Sequence, residues 1–326
     1  MNITTTIVGS YPVISHEANC FGDKLRDHLG IYDKYHDSIV HTTTMFAKNG
    51  IDVICDGQPR DDMVKIFASK INGFDIIDNS VHVIGKITPA AHAIGVRDLK
   101  LAYNVAHKIN NKYQLHTSLD DIFKGKAKGI KGMLTGPTSI IHSCAIDNFY
   151  ANKQEAIFDL AKALCYEAKQ LQKAGACAIQ IDEPFISTGV EDIKVSKEAV
   201  EIIAESVDIP VVVHVCGDLK DVLKDLLEFD VEVLDFEFQG QKDNINTLKK
   251  VWTKNTDKKI AIGCIDTKLH EVDDEDEVKN TIKKVVDIMQ NEDVIIDPDC
   301  GMRMLDEEVA IGKLEILNNI KNGGII

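Results

Sequence analysis

The chain has 326 residues, 44% apolar and 27% charged, the balance of an ordinary globular protein with a full core. Lys and Arg number 37 against 52 Asp and Glu, a formal net charge of −15. That sign argues against nucleic acid or an anionic membrane as a partner, because both need a basic face.

Strand-like apolar runs alternate with helical patterns from end to end. The opening Met1–Ile7 has no basic segment and no long apolar core, so no signal peptide is expected. The runs are Thr4–Gly9, Asp52–Gly57, Ile130–Thr135, Cys177–Asp182, Pro210–Cys216, Val231–Glu237, Lys259–Asp266 and Asp293–Asp297, eight in all. Between the second and third, a further extended run at Val81–Thr88 and the long segment Leu99–Phe123 form an excursion over roughly 75–128, read as a hairpin over the barrel mouth. The run Lys124–Gly129 reads as a surface turn into the third strand. Gln154–Ala174 carries the clearest helical spacing, with Ile157, Leu160, Ala161, Leu164, Ala168 and Leu171 on one face and Gly175 as its stop. The acidic run Glu271–Glu277 is expected to be a solvated first turn facing a helix dipole.

Strands alternating with helices imply a parallel sheet with right-handed crossovers. Eight such units predict an α/β fold of the (β/α)8 barrel type, a single domain over 1–326. The rival is a doubly wound open sheet, but no dinucleotide fingerprint follows the first strand. No stretch approaches the ~18 apolar residues of a membrane span. The eight Cys do not read as a disulfide framework in a chain this long. Cys55, Cys165, Cys177 and Cys264 lie in apolar runs and are expected to be core thiols, in a reducing cytoplasm.

The chemistry gathers at strand ends. His214 and Cys216 are two apart at the end of an apolar run, so on a strand they point to the same side. Glu237 ends the next run, 21 residues after Cys216, and Cys300 lies 63 residues further on in Asp297-Pro-Asp-Cys-Gly301. Imidazole, thiolate and carboxylate are zinc ligands, and barrel enzymes place their chemistry at the C-terminal ends of strands. Glu237 lies between Phe236 and Phe238, where an unpaired carboxylate costs several kcal/mol, so it needs a cation or a proton. Other strand ends carry Ser10, the Asp56-Gly-Gln58 turn, and Asp182-Glu183-Pro184. Asp182 and Glu183 can hold an α-amino group or serve as a helix cap or loop salt bridge.

Seven stretches together resemble the cobalamin-independent methionine synthase family. They are Thr6–Pro12, Asp56–Met63, Lys131–Pro137, Gln180–Pro184, His214–Cys216, Phe236–Glu237 and Asp297–Gly301, in the family's order. The resemblance implies one zinc ion on His214, Cys216, Glu237 and Cys300, with homocysteine held by Ser10, Gln58 and Asp182. It implies methyl transfer to the zinc-activated thiolate of homocysteine, with no protein acid or base assigned. The chain resembles the short, archaeal-type form, which consists of the catalytic barrel and is linked to corrinoid donors. Gln58 stands where the long form usually has Glu. Near Thr267 and Lys268 there is no counterpart of the His that the long form is thought to use to protonate the folate nitrogen. A folate nitrogen needs a proton to leave, whereas cobalt(I) does not, so methylcobalamin or a corrinoid protein is the expected donor. A zinc-dependent transfer to another thiol, such as coenzyme M, is the alternative. A non-catalytic zinc-binding barrel that docks a corrinoid protein is the distant one.

Overall fold

The computed structural model describes residues 2–14, 17, 20–29, 32–146, 149–253, 256, 258–290 and 293–324. Its barrel strands are β1 (Asn2–Thr5), β2 (Val53–Ile54), β3 (Gly129–Ile130, resuming as Gly132–Thr135), β4 (Ile179–Asp182), β5 (Val211–Val215), β6 (Val233–Glu237), β7 (Lys259–Ile265) and β8 (Asp293–Pro298). All pair in parallel, in the order β1-β8-β7-β6-β5-β4-β3, and β2 pairs with the first part of β3. The Asp52 amide donates to the Thr5 carbonyl at 3.0 Å and Thr6 Oγ1 to the Val53 carbonyl at 3.0 Å, closing β2 onto β1. The fold is the expected (β/α)8 barrel.

The longest helix runs over Lys153–Ala174. Asn152 caps it by accepting from the Glu155 amide, and Gly175 ends it at φ 103°, a left-handed turn that suits glycine. All six apolar residues expected on its inner face are buried, each large one worth roughly 1.5–3 kcal/mol of transfer free energy. Glu167 shares that face and accepts from the amides of Ile94 and Gly95, both at 2.7 Å, at the start of the helix Val96–Ile109. A buried carboxylate is stable there because it meets the positive end of a helix.

The excursion departs from its expected form. Val81–Thr88 belongs to a strand, Ser80–Thr88, but its hairpin partner Asn72–Ile77 carries no clear alternation in the sequence. Asp78 and Asn79 turn the hairpin with φ of 49° and 66°, the left-handed pair a tight two-residue turn requires. Ser80–Thr88 also pairs with Ala145–Ile146, beyond β3. The hairpin packs toward the helix Lys153–Ala174, where the Tyr150 hydroxyl accepts from the Ile87 amide at 2.8 Å. None of its residues lines the mouth cavity described below. Further along the excursion, the short helix Leu119–Phe123 packs against the barrel's interior, with Phe123 against Val233, Ala261 and Ile295.

Two charge runs also divide. In Lys124–Gly129 the turn is exposed up to Lys126, but Lys128 is buried and pairs with Asp52 at 3.1 Å. In the acidic run, Asp274 caps the helix Glu275–Met289 by accepting from the amides of Asp276 and Glu277. Asp273 is not solvated: it is buried against the fully buried Lys313, with Nζ–Oδ2 at 2.6 Å. Of the four expected core thiols, Cys55, Cys177 and Cys264 are buried and Cys165 is half-buried, and all eight cysteines are unpaired. Among the described residues no helix is long and apolar enough to cross a membrane.

Candidate metal centre and substrate cavity

Parallel register builds the site. Across β4, β5 and β6 it aligns Asp182 with His214 and His214 with Asp235. His214 Nδ1 lies 2.9 Å from Asp235 Oδ2, so the ring donates there, and its buried Nε2, which faces the two cysteine sulfurs, has no hydrogen-bond partner among the described residues. A carboxylate on one ring nitrogen and an open second nitrogen is the arrangement that metal-ligating histidines adopt. One ring nitrogen of His214 and the sulfurs of Cys216 and Cys300 lie within 4.8 Å of one another. Around a tetrahedral zinc such atoms are about 3.3–3.8 Å apart, so a small contraction completes the set. The donor set and the orphaned nitrogen both fit a soft divalent ion.

Without an ion the trio shares protons that a metal would have to displace. Cys300 is pulled down to about 4, chiefly by the neighbouring Cys216 thiol and also by His214, against the effect of burial. Cys216 is pushed up by the same neighbouring sulfur and by burial. Burial opposes charge on His214, but Asp235 and the two sulfurs outweigh it and raise the imidazole well above its usual range. A divalent ion displaces these protons, so binding is coupled to pH.

Glu237 is placed differently from the other three. It is 1% exposed, and its carboxylate accepts from the Gly217 amide at 2.9 Å and from Lys268 Nζ at 2.6 Å. It therefore borders the trio through the Cys216–Gly217 turn and takes a lysine as its cation. Asn244 ties the same turn to β6, donating to the carbonyls of Gly217 at 2.9 Å and Glu237 at 2.7 Å.

A cavity of about 280 Å³ opens over the trio. Ser10, Gln58 and Asp182 line it together with His214, Cys216 and Cys300, and Arg303 and Met304 stand at its edge. Asp182 is raised to about 6 by burial, against the hydrogen bond from Gln180 Nε2 at 2.7 Å. Gln180 in turn accepts from the buried Lys131, which also donates to the Ile7 carbonyl. Gln58 has φ 46°, and its carbonyl accepts from Arg303. Ser10 is packed so closely on Gly301 that a Cβ there would lie 2.2 Å from its Oγ. Glu183 resolves the open choice at its position: it turns away and accepts from the amides of Thr138 at 3.0 Å and Ser139 at 2.9 Å, as a cap for Pro137–His142. A larger cavity of about 1160 Å³ lies at strand starts, by Pro210, Val231 and Lys259, and shares none of these groups.

Several site residues escape a reading of the sequence. Asp235 sits two before Glu237 on the same strand, so period-2 alternation could have found it. Asp299 accepts from the amides of Phe238 and Gln239, both at 3.1 Å, and Gly240 at 2.5 Å, a long-range loop clamp with no local signature. Asp297 is fully buried beside Asp235, and burial and that neighbour push its carboxyl well above the usual range.

The barrel and its mouth define an enzyme with its chemistry at the C-terminal strand ends. Comparison with known proteins agrees. The profile of the family described as "Cobalamin-independent synthase, Catalytic domain" matches residues 2–322. A methionine synthase of Methanothermobacter thermautotrophicus is 41% identical over 312 residues, covering 95% of this chain and 96% of that protein. One from Methanocaldococcus jannaschii is 35% identical, covering 95% and 96%. Among solved structures, a B12-independent methionine synthase from Shewanella sp. W3-18-1 superposes with TM-score 0.77 at 21% identity, over 99% of this chain and 97% of that one. A methyltransferase from Methanosarcina mazei gives 0.62 at 14% identity, over 99% and 94%. The structural likenesses establish the fold. The chain belongs to the cobalamin-independent methionine synthase family, in its catalytic-domain part, and is a methyltransferase.

Proposed function

We propose that this protein is a methionine synthase that moves a methyl group onto the thiol of L-homocysteine, with one zinc ion held by His214, Cys216, Cys300 and, at one stage of the cycle, Glu237. The observation that carries the reading is that one cavity joins the His-Cys-Cys trio to Ser10, Gln58 and Asp182. When bound, zinc would keep the substrate thiol ionised near neutral pH, where a free alkyl thiol with a pKa of ~8.5 is mostly protonated. Asp182 would pair with the substrate ammonium, and Gln58 and Ser10 would hydrogen-bond the amino-acid end. Their convergence supplies orientation, which converts an encounter into a positioned attack. Asp235 would fix the His214 tautomer. We read 1–326 as one catalytic unit, with 75–128 as an excursion that carries none of these groups.

The donor in this proposal is a methyl-corrinoid. In support, the resemblance puts the counterpart of the long form's proton-donating His near Thr267 and Lys268, neither of which is a His, and the Lys268 ammonium is engaged by Glu237. A sulfonate thiol such as coenzyme M suits the cavity less well, because it has no ammonium to pair with Asp182. The deciding experiment offers homocysteine and coenzyme M to the purified protein, with methylcobalamin or methyl-tetrahydrofolate, before and after zinc removal. Methionine is expected from methylcobalamin and homocysteine in the zinc-loaded protein. Equal rates with methyl-tetrahydrofolate would overturn the donor assignment, and undiminished rates after zinc removal would overturn the metal's role.

A further inference from the structure

The geometry points to Lys268 as a positioning residue that receives the Glu237 carboxylate while a thiol occupies its place on the metal. This rests on the zinc reading above and assigns the resting place of the fourth ligand. Glu237 is buried at the edge of a complete His-Cys-Cys group, yet one of its oxygens is taken by Lys268 Nζ at 2.6 Å. The lysine is the reverse case: its side chain is 68% exposed and reaches inward to a carboxylate that is 1% exposed. Its ammonium can therefore move at little cost, whereas a carboxylate as buried as that of Glu237 needs a partner wherever it lies.

The backbone of the loop that carries Lys268 is anchored. The Lys268 amide donates to Asp266 Oδ1 at 2.8 Å, and the Asp266 amide donates to Asp273 Oδ1 at 2.9 Å. Lys313 Nζ donates to Asp273 Oδ2 at 2.6 Å and to the Asp266 carbonyl at 2.8 Å. Charge explains why a cation is needed. Carboxylates of Glu237, Asp299 and Asp266 crowd Gly240, where a Cβ would lie 2.8, 3.1 and 3.2 Å from their oxygens. Asp299 is satisfied by three backbone amides, and Asp266 by those of Lys268 and Leu269. Glu237 has one amide and Lys268.

The exchange balances. With zinc bound on His214, Cys216 and Cys300, a thiol that gives its proton to solvent would supply one anionic ligand in place of the Glu237 oxygen, which would then rest on Lys268. A buried carboxylate released without a partner would be strongly disfavoured, and Lys268 is the partner. The test uses the zinc-loaded full chain as wild type, Lys268→Met, Lys268→Arg, Glu237→Gln and the Lys268→Met/Glu237→Gln double variant. Zinc affinity is read by competition with a chromophoric chelator, homocysteine affinity by calorimetry, and the oxygen and sulfur ligands of zinc by X-ray absorption.

In Lys268→Met, zinc is expected to bind about tenfold tighter and homocysteine about tenfold weaker, the scale of outer-shell effects, with Lys268→Arg restoring both. The absorption spectrum of Lys268→Met without homocysteine should show oxygen coordination strengthened over wild type. The double variant should match Glu237→Gln alone. Zinc and homocysteine affinities both within about twofold of wild type in Lys268→Met, or a Lys268 effect that persists without Glu237, would overturn the proposal. Failure of the zinc reading looks different: wild type would lose its zinc on dialysis, or His214→Ala would keep it.

Discussion

Replacing Asp235 with asparagine tests whether the residue behind His214 governs the metal. Asp235 is 1% exposed and accepts from His214 Nδ1 at 2.9 Å, in a register that aligns the two residues across β5 and β6. The Asp235→Asn variant would keep the volume and one acceptor oxygen but lose the charge. A charge-assisted hydrogen bond contributes about 1.5–3 kcal/mol, and about 1.4 kcal/mol is a factor of ten in affinity. Zinc affinity should therefore fall about 10- to 100-fold, the range that outer-shell substitutions produce. The assay is competition with a chelator of known zinc affinity, with circular dichroism showing that the variant remains folded. An affinity within about twofold of wild type would show that Asp235 neither fixes the tautomer nor strengthens the ligand, and the reasoning from the open Nε2 would fail.

Two further outcomes follow from the cavity. Asp182 is raised to about 6 by burial, so the folded state holds its proton more tightly than the unfolded chain, whose carboxyl titrates near ~3.9. Its contribution to stability is thus present below about 4 and lost as pH rises through about 6. Binding runs the other way: below about 6 the KM for homocysteine should climb by up to about a further tenfold per pH unit, on top of the dependence that release of the thiol proton already gives, and Asp182→Asn should show a high KM without that added steepness. A wild-type KM that changes with pH no more steeply than that of Asp182→Asn would remove Asp182 from contact with the ammonium. Gly301→Ala puts a Cβ 2.2 Å from Ser10 Oγ, so Ser10 must shift. Stability should fall by about 1–3 kcal/mol and homocysteine should bind more weakly while one zinc per chain is kept; an unchanged KM would exclude Ser10 as a substrate contact.

Much of the frame is readable along the chain because it depends on local pattern. The eight runs became the eight barrel strands, and the inner face and glycine stop of Lys153–Ala174 follow from helical period and backbone chirality. The hairpin strand Asn72–Ile77 is not readable, since its pairing with Ser80–Thr88 depends on a turn, not on alternation. Asp273 looks like its acidic neighbours, and only the return of the last helix, Glu307–Gly323, brings Lys313 onto it.

The same division holds at the site. By itself the sequence put His214 and Cys216 on one side of a strand and Cys300 at another strand's end, because side-chain direction alternates and barrel chemistry collects at C-terminal ends. Tertiary structure alone decided who partners whom. It gave His214 to Asp235, turned Glu183 away to a helix start while leaving Asp182 in the cavity, and laid Lys268 on Glu237. These contacts join residues that are distant in the chain, so they depend on strand register and loop closure, which local composition does not encode.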